Sequence, residues 1–214
     1  MLATRITLAR FPLLGVVLVT LYHGGPLVRL VGVAVLAFGL LLDTVDGVVA
    51  RRLKETSLHG SVLDIAADRT YELVLWLCFA NLGLIPVVIP LLVVARTTLT
   101  DAFRSLGVRD GVAPFDQPGG SLAGRLVASS WMRTGYGLSK GIAFGGLALV
   151  AALPGSVLAF GRLPLLAAAQ AAAWIAGAFC LLRGAPVVIE GLRRCLRPAP
   201  LEIGPKPSAV SRKP

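Results

Sequence analysis

Apolar runs separated by glycine and proline recur along the chain, and they predict its secondary structure. A helix rises about 1.5 Å per residue, so roughly 20 apolar residues cross a bilayer. No stretch alternates apolar and polar residues as a strand does, so the pattern predicts an all-α integral membrane bundle of six transmembrane helices, preceded by an N-terminal interfacial segment. The six predicted spans are Thr7–Tyr22, Leu27–Arg51, Gly60–Leu82, Pro86–Leu106, Tyr136–Leu153 and Leu163–Arg183.

Composition agrees with a bilayer as the solvent for these helices. The 214 residues are 56% hydrophobic and have a mean hydropathy of +0.79, which is more apolar surface than a water-soluble domain of this length buries. The formal net charge is +10, but the basic residues lie at the ends of the predicted helices and in the C-terminal tail. That placement is typical of cytoplasmic loops near anionic lipid head groups, so we expect membrane lipids and no nucleic acid as partners.

The basic residues also predict the orientation and the limits of the membrane domain. With the N-terminus in the cytoplasm, the outer loops hold little beyond Arg29 and Arg162, so the positive-inside rule puts both termini in the cytoplasm. Residues 1–196 form the predicted membrane domain, and the polar, glycine-rich segment Gly107–Ser121 within it is typical of a loop. Residues 197–214 are basic and proline-rich, and we expect them to be disordered.

Four aspartates interrupt the apolar pattern where the second predicted helix ends and the third begins. The stretch LLDTVDGVVARRLKETSLHGSVLDIAADR contains Asp43, Asp46, Asp64 and Asp68. The members of each pair lie three or four residues apart, so they share one face of their helix. The short connection makes the two helices antiparallel neighbours, and we expect the four carboxylates to converge at the cytoplasmic end of the bundle. Ionisable groups are costly inside a membrane and by default functional there.

Converging carboxylates repel one another unless cations neutralise them, and oxygen ligands favour Mg²⁺, Mn²⁺ or Ca²⁺. Two such ions form a clamp suited to phosphoryl chemistry. Gly47 and Ala50 leave space beside the helix, and Arg51 offers a planar fork for phosphate. These residues predict a phosphate-ester or pyrophosphate site. The alternative is that the aspartates pair with basic residues to hold the helices together or line a proton path, and the regular spacing favours the metal site.

The pattern D-x2-D-G-x2-A-R-x8-G-x3-D-x3-D resembles the signature of the CDP-alcohol phosphotransferase family, and the chain fills every fixed position of it. The lead-in RITLARFPL resembles the family's start. The resemblance implies that an acceptor hydroxyl attacks the lipid-linked phosphate of CDP-diacylglycerol and displaces CMP. It also implies a homodimer in a cell membrane of bacterial or archaeal type, with the active site facing the cytoplasm.

The same resemblance implies roles for the residues of the motif. Two divalent ions, Mg²⁺ or Mn²⁺, are the implied cofactors, and Asp68 is in addition the implied general base. The implied metal ligands are Asp43, Asp46, Asp64 and Asp68. The implied contacts to the CDP group come from Asp43, Gly47, Ala50, Arg51 and Gly60.

Basic residues later in the chain bear on the acceptor alcohol. The candidates are Arg96, Arg104, Arg133 and Lys140. Structural pairing or snorkelling explains each of them alone equally well, and Asp101 is a candidate partner for Arg96. Together they suit an acceptor that carries its own phosphate. Within the family this favours glycerol-3-phosphate, with an inositol phosphate or another alcohol as the alternative, over the cationic choline and ethanolamine.

Further comparison of motifs supports that choice only in part. The stretch ARTTLTDAFR resembles the fourth helix of phosphatidylglycerophosphate synthases, whereas Arg69 departs from the lysine common in that subgroup.

Two other classes of protein are alternatives to the family as a whole. An intramembrane prenyltransferase would carry its two acidic motifs far apart on separate repeats. A cation-coupled transporter would show inverted repeats and broken helices, and the sequence has neither feature.

Overall fold

A computed structural model describes residues 2–53, 58–109, 129–153 and 162–196 of the chain. Six α-helices make up almost all of these residues. Side chains are described for these residues except 2–7, 43–53, 58–62, 104–109, 130, 133, 162 and 194. No strand occurs in the described ranges, so the predicted all-α class is confirmed there. The helices are α1 (Leu2–His23), α2 (Pro26–Leu53), α3 (Leu58–Asn81), α4 (Val88–Arg109), α5 (Ser130–Ala152) and α6 (Arg162–Leu196).

Each helix corresponds to one predicted span, and the main differences lie at the two ends of the domain. The predicted interfacial segment is not a separate element, because α1 runs without interruption from Leu2. At the other end α6 continues well past Arg183, the predicted boundary, and contains Pro186 in its interior. A proline removes one backbone hydrogen bond and bends a helix without having to end it when packing holds both halves. The sequence estimate therefore ended this helix too early.

The turn between α3 and α4 shows why glycine is required at one position. Gly83 has a φ of 71°, a left-handed conformation that glycine adopts without steric cost. The amide of Gly83 donates to the carbonyl of Ala80 at 3.0 Å, and that of Leu84 donates to the carbonyl of Phe79 at 3.0 Å. These two bonds form the Schellman motif that closes a helix. Gln170 of α6 donates to the Leu84 carbonyl at 2.7 Å and so fixes the turn against the bundle.

The core lies where α3 packs among α1, α4 and α5. Leu75, Trp76 and Phe79 of α3 are fully buried. The ring of Trp76 meets that of Phe144 on α5 edge to face, with centroids 4.7 Å apart, a favourable arrangement for aromatic pairs. Arg29 near the start of α2 donates to the Ala151 carbonyl near the end of α5 at 3.0 Å. These contacts join α3 to α5 and α2 to α5.

Two stretches of the described residues are long and apolar enough to cross a bilayer, namely Thr134–Ala152 and Leu163–Arg193. Leu8–His23 and Pro26–Leu42 are shorter apolar helices. The outer surface carries many large apolar side chains, including Leu27, Leu163 and Trp131. The structure thus confirms a six-helix fold, and the crossing of the membrane by all six helices stays a prediction.

Candidate active site

A cavity of about 1060 Å³ lies among α2, α3, α4, α5 and α6. Apolar residues of α2, such as Leu36 and Leu40, form one side of it. Charged and uncharged residues of the other four helices form the rest. The charged residues in its wall are Asp64, Asp68, Arg69, Glu72, Arg96, Lys140 and Arg183. The cavity therefore combines three carboxylates from a single helix with four cations contributed by all four helices.

The carboxylates form one row along α3. Asp64, Asp68 and Glu72 follow one another at intervals of four residues, which puts them on the same face of a helix, and all three line the cavity. The spacing of the motif predicted that Asp64 and Asp68 share one face of the helix, and both line the cavity. Sequence reasoning missed Glu72, although its position four residues after Asp68 was a signal that could have found it.

Asp68 contacts a buried cation from α1. The Nη2 atom of Arg10 lies 3.8 Å from Oδ1 of Asp68, and Arg10 is only 2% exposed whereas Asp68 is 44% exposed. The Arg10 guanidinium also lies over the ring of Tyr71, 5.4 Å from its centroid. The cation is thus fixed by packing and the carboxylate reaches the cavity. The sequence analysis did not single out Arg10, which lies in the lead-in RITLARFPL.

Glu72 is held by two residues of α5. Its side chain is 4% exposed, and one carboxylate oxygen accepts a hydrogen bond from the Lys140 ammonium at 3.3 Å. The other oxygen accepts a hydrogen bond from the Tyr136 hydroxyl. A buried carboxylate requires such partners. Lys140, a predicted acceptor-phosphate residue, does line the cavity, but much of its charge is balanced by Glu72.

The arginines of the wall differ in their surroundings. Arg69 pairs with Asp101, Nη2 to Oδ1 at 3.7 Å, so the partner suggested for Arg96 belongs to another residue. Arg183 places its guanidinium over the ring of Tyr136, 5.7 Å from the centroid. The buried Nε of Arg96 has no hydrogen-bond partner among the residues whose side chains are described. Sequence reasoning did not single out Arg183, which lay at the predicted end of its helix.

Several predicted site residues lie outside the described side chains, although they fall within helices. The group consists of Asp43, Asp46, Gly47, Ala50 and Arg51 in α2, Gly60 in α3, Arg104 in α4 and Arg133 in α5. The predicted convergence of four aspartates is therefore untested. Within the described side chains, no three His, Cys, Asp or Glu residues come together as metal ligands. Asp64 and Asp68 provide two carboxylates one turn apart, and this oxygen donor type fits a hard divalent cation.

The chain belongs to the CDP-alcohol phosphatidyltransferase family, whose model matches residues 1–182. This family comprises membrane-associated enzymes that transfer substituted phosphate groups, and they generally depend on a divalent metal ion. The prediction from the motif is confirmed at this level.

Three curated relatives share one short segment with the chain. Over 55 residues it is 40% identical to a protein called "Putative cardiolipin synthase" from Mycobacterium bovis (strain ATCC BAA-935 / AF2122/97). The same values hold for proteins of that name from Mycobacterium tuberculosis strains CDC 1551 / Oshkosh and ATCC 25618 / H37Rv. The segment covers 26% of this chain and 26% of each relative, so the match spans about a quarter of their length. These relatives agree with the transfer of a phosphatidyl group in phospholipid synthesis.

Proposed function

We propose that this protein transfers the phosphatidyl group of CDP-diacylglycerol to glycerol-3-phosphate and releases CMP. The observation that carries the proposal is the composition of one cavity, in which the motif carboxylates Asp64 and Asp68 face the same space as Arg96 and Arg183. Carboxylates suit the metal-dependent chemistry of a pyrophosphate donor. Arginines suit the phosphate of an acceptor. The family supplies the reaction class.

We place the reaction at the cytoplasmic end of a bundle that spans a bacterial or archaeal-type cell membrane six times. The apolar composition and the two long apolar helices support the membrane, and the distribution of basic residues supports cytoplasmic termini. The acyl chains of the donor stay in the lipid while the soluble acceptor enters from the cytoplasm. The family resemblance supports a homodimer.

In the proposed reaction, the acceptor hydroxyl oxygen forms a bond to the phosphorus of the phosphatidyl group, and the bond from that phosphorus to the oxygen of CMP breaks. The carboxylate of Asp68 takes the hydroxyl proton, since it is half-exposed in the cavity and a carboxylate within reach of a hydroxyl can act as base. Arg10 orients that carboxylate through the contact at 3.8 Å.

In this proposal the motif residues, including Asp68, also bind the donor. Two divalent ions, Mg²⁺ or Mn²⁺, would neutralise the charge that develops on the leaving pyrophosphate oxygen. Their proposed ligands are Asp43, Asp46, Asp64 and Asp68. The proposed contacts to the CDP group are Asp43, Gly47, Ala50, Arg51 and Gly60.

The acceptor phosphate is assigned to the basic wall of the cavity. Arg96 and Lys140 line it together with Asp68, which supports their predicted role, and Arg104 and Arg133 remain part of the proposal from the sequence. Because Glu72 already balances Lys140, we assign the larger share of phosphate binding to Arg96 and Arg183. An inositol phosphate carries the same group and is the alternative small acceptor.

The curated relatives favour a second candidate acceptor. Cardiolipin contains two phosphatidyl groups joined by one glycerol, so its synthesis from CDP-diacylglycerol requires phosphatidylglycerol as the acceptor. The identity of 40% over 55 residues to proteins called "Putative cardiolipin synthase" supports this candidate. Phosphatidylglycerol carries a phosphodiester with one negative charge, whereas glycerol-3-phosphate carries a monoester with up to two.

An acceptor panel tests the proposal. Purified full-length protein in vesicles containing CDP-diacylglycerol and Mg²⁺ is supplied with glycerol-3-phosphate, an inositol phosphate, unphosphorylated inositol or phosphatidylglycerol, and CMP is measured. We expect the highest kcat/KM with glycerol-3-phosphate and loss of all release in EDTA. CMP release with phosphatidylglycerol alone would favour the second candidate. No CMP release with any of the four acceptors would contradict the proposed enzyme.

A further inference from the structure

The side chain of Arg96 reaches the cavity by passing over a glycine of the neighbouring helix. Arg96 lies on α4, and α4 packs closely on α6. A Cβ atom built on Gly184 of α6 would lie 2.5 Å from Nε of Arg96, 2.6 Å from its Cγ and 3.0 Å from its Cδ. Carbon and nitrogen atoms do not approach so closely without a shift, because van der Waals repulsion rises steeply below about 3.5 Å. The present path of Arg96 therefore requires glycine at position 184.

The crowded atoms belong to the stem of the arginine and not to its far end. Cγ and Cδ connect the guanidinium to the backbone of α4, so displacing them changes where the planar group points. An arginine recognises phosphate through parallel N–H donors of fixed geometry. Moving the stem would therefore misalign the donors even if the charge stayed near the cavity.

Arg96 also differs from Lys140 and Arg69, two other cations of the wall, in its partners. The ammonium of Lys140 meets Glu72 at 3.3 Å, and the guanidinium of Arg69 meets Asp101 at 3.7 Å. Arg96 has no acidic partner within ion-pair distance in the described part of the chain, and its buried Nε lacks a hydrogen-bond acceptor there. A buried donor of this kind is costly unless something accepts from it, and an anion in the cavity could do so.

We propose that Gly184 is a positioning residue for the acceptor phosphate, because it leaves the space that the Arg96 stem needs to bring its guanidinium to that phosphate. The inference rests on the proposed function, since it names how the same cavity holds that phosphate. Arg183, the preceding residue, lines the cavity from α6. Two adjacent residues of α6 thus serve the same phosphate. Arg183 contributes a guanidinium, and Gly184 leaves the space that the Arg96 side chain occupies.

Gly177 provides a matched control on the same helix. It lies seven residues, about two turns, before Gly184 and has no atom within 4 Å of a built Cβ. Replacing either glycine by alanine raises helix propensity by the same amount. The two substitutions therefore differ in the contact with Arg96 and not in their effect on the helix backbone.

Binding of glycerol-3-phosphate to purified full-length protein, measured by isothermal titration calorimetry, tests the inference. We expect Gly184→Ala to raise the Kd about tenfold or more, the loss associated with hydrogen bonds to a charged group. Gly177→Ala should leave the Kd unchanged. The KM for CDP-diacylglycerol should be unchanged in both variants. An unaltered Kd in Gly184→Ala, or no binding by the wild type, would overturn the inference.

A double-mutant cycle with Arg96→Ala separates positioning from general damage. With alanine at position 96 the new methyl group has no arginine stem to meet, so Gly184→Ala should add no further loss of affinity in that background. If Gly184→Ala alone lowers the melting temperature, Arg96→Ala should restore it. Independent, multiplicative effects of the two substitutions would contradict the inference.

The two proposals fail in distinguishable ways. Release of CMP from CDP-diacylglycerol by the wild type reports the proposed function, whereas the Kd for glycerol-3-phosphate reports the phosphate site. Turnover by the wild type together with an unaffected Gly184→Ala variant overturns only the role of Gly184. Weakened binding in Gly184→Ala without any CMP release by the wild type supports the phosphate site and overturns the enzymatic proposal.

Discussion

The Nζ atom of Lys140 lies 3.3 Å from Oε2 of Glu72, and the two side chains are 15% and 4% exposed. This pair joins α5 to α3 at the base of the cavity, next to the row of motif aspartates. Tyr136 donates to the second oxygen of the same carboxylate. The pair therefore fixes the distance between the acidic helix and one of the helices that carries the basic wall.

Removal of one partner from this pair should destabilise the protein. We expect Lys140→Met to lower the free energy of unfolding by about 3–5 kcal/mol, because it leaves a buried carboxylate without its cation. The double variant Glu72→Leu, Lys140→Met should recover much of that loss. Denaturant unfolding in detergent measures both.

The more exposed pair of Arg69 and Asp101 serves as the control for that experiment. Asp101 is 47% exposed, so Asp101→Asn should change the free energy of unfolding by at most about 1 kcal/mol. If Asp101→Asn and Lys140→Met lowered the free energy of unfolding equally, burial would not explain the contribution of the Lys140–Glu72 pair to stability.

Asp68→Asn should abolish turnover while the protein still folds and its binding of the metal ions and CDP-diacylglycerol survives in part, since Asp68 is also a proposed metal ligand. The amide keeps the shape of the side chain but cannot take a proton, and loss of a general base costs about 10²–10⁴-fold in kcat. CMP release and CDP-diacylglycerol binding, measured on the same preparation, separate chemistry from donor binding. A wild-type rate of CMP release in this variant would refute the assignment of the base.

Arg10 should affect the chemical step through its contact with Asp68. Arg10→Ala removes the guanidinium that lies 3.8 Å from that carboxylate and the cation–π contact with Tyr71. We expect kcat to fall about tenfold, with little change in the KM of either substrate. Arg10→Lys should recover part of the rate because it restores the charge without the planar fork. A folded Arg10→Ala variant with the wild-type kcat would contradict this role.

Replacement of Arg183 should raise the KM for the acceptor and leave the KM for the donor unchanged. Arg183→Ala removes a cation from the cavity wall, and we expect the KM for glycerol-3-phosphate to rise about tenfold with CDP-diacylglycerol unaffected. Arg193→Ala is the matched control, since Arg193 lies on the same helix with an exposed side chain. Similar KM values for the two variants would argue against the basic wall.

The sequence was sufficient to predict the six helices and the shared face of Asp64 and Asp68. Both follow from local periodicity, since the length of an apolar run and a spacing of four residues need no tertiary information. The end of α6 was predicted too early, since the helix continues through Pro186 to Leu196, and only packing decides whether a helix continues through proline.

The partners within the site could not be predicted in the same way. Glu72 directly precedes an apolar stretch, and the residues that satisfy it follow 64 and 68 positions later. The pairing of Arg69 with Asp101 joins α3 to α4, and the passage of Arg96 over Gly184 depends on where α4 crosses α6. Such contacts depend on how the helices pack and not on local sequence pattern.

The most direct test of phosphatidyl transfer follows labelled glycerol-3-phosphate into lipid. Purified protein in vesicles with CDP-diacylglycerol and Mg²⁺ should move the label into the lipid extract, with one CMP released for each labelled lipid formed. Both products should form at least about 10²-fold more slowly in Asp68→Asn. CMP release without label in the lipid would indicate hydrolysis of the donor and contradict the account, as would label that stays wholly in the aqueous phase.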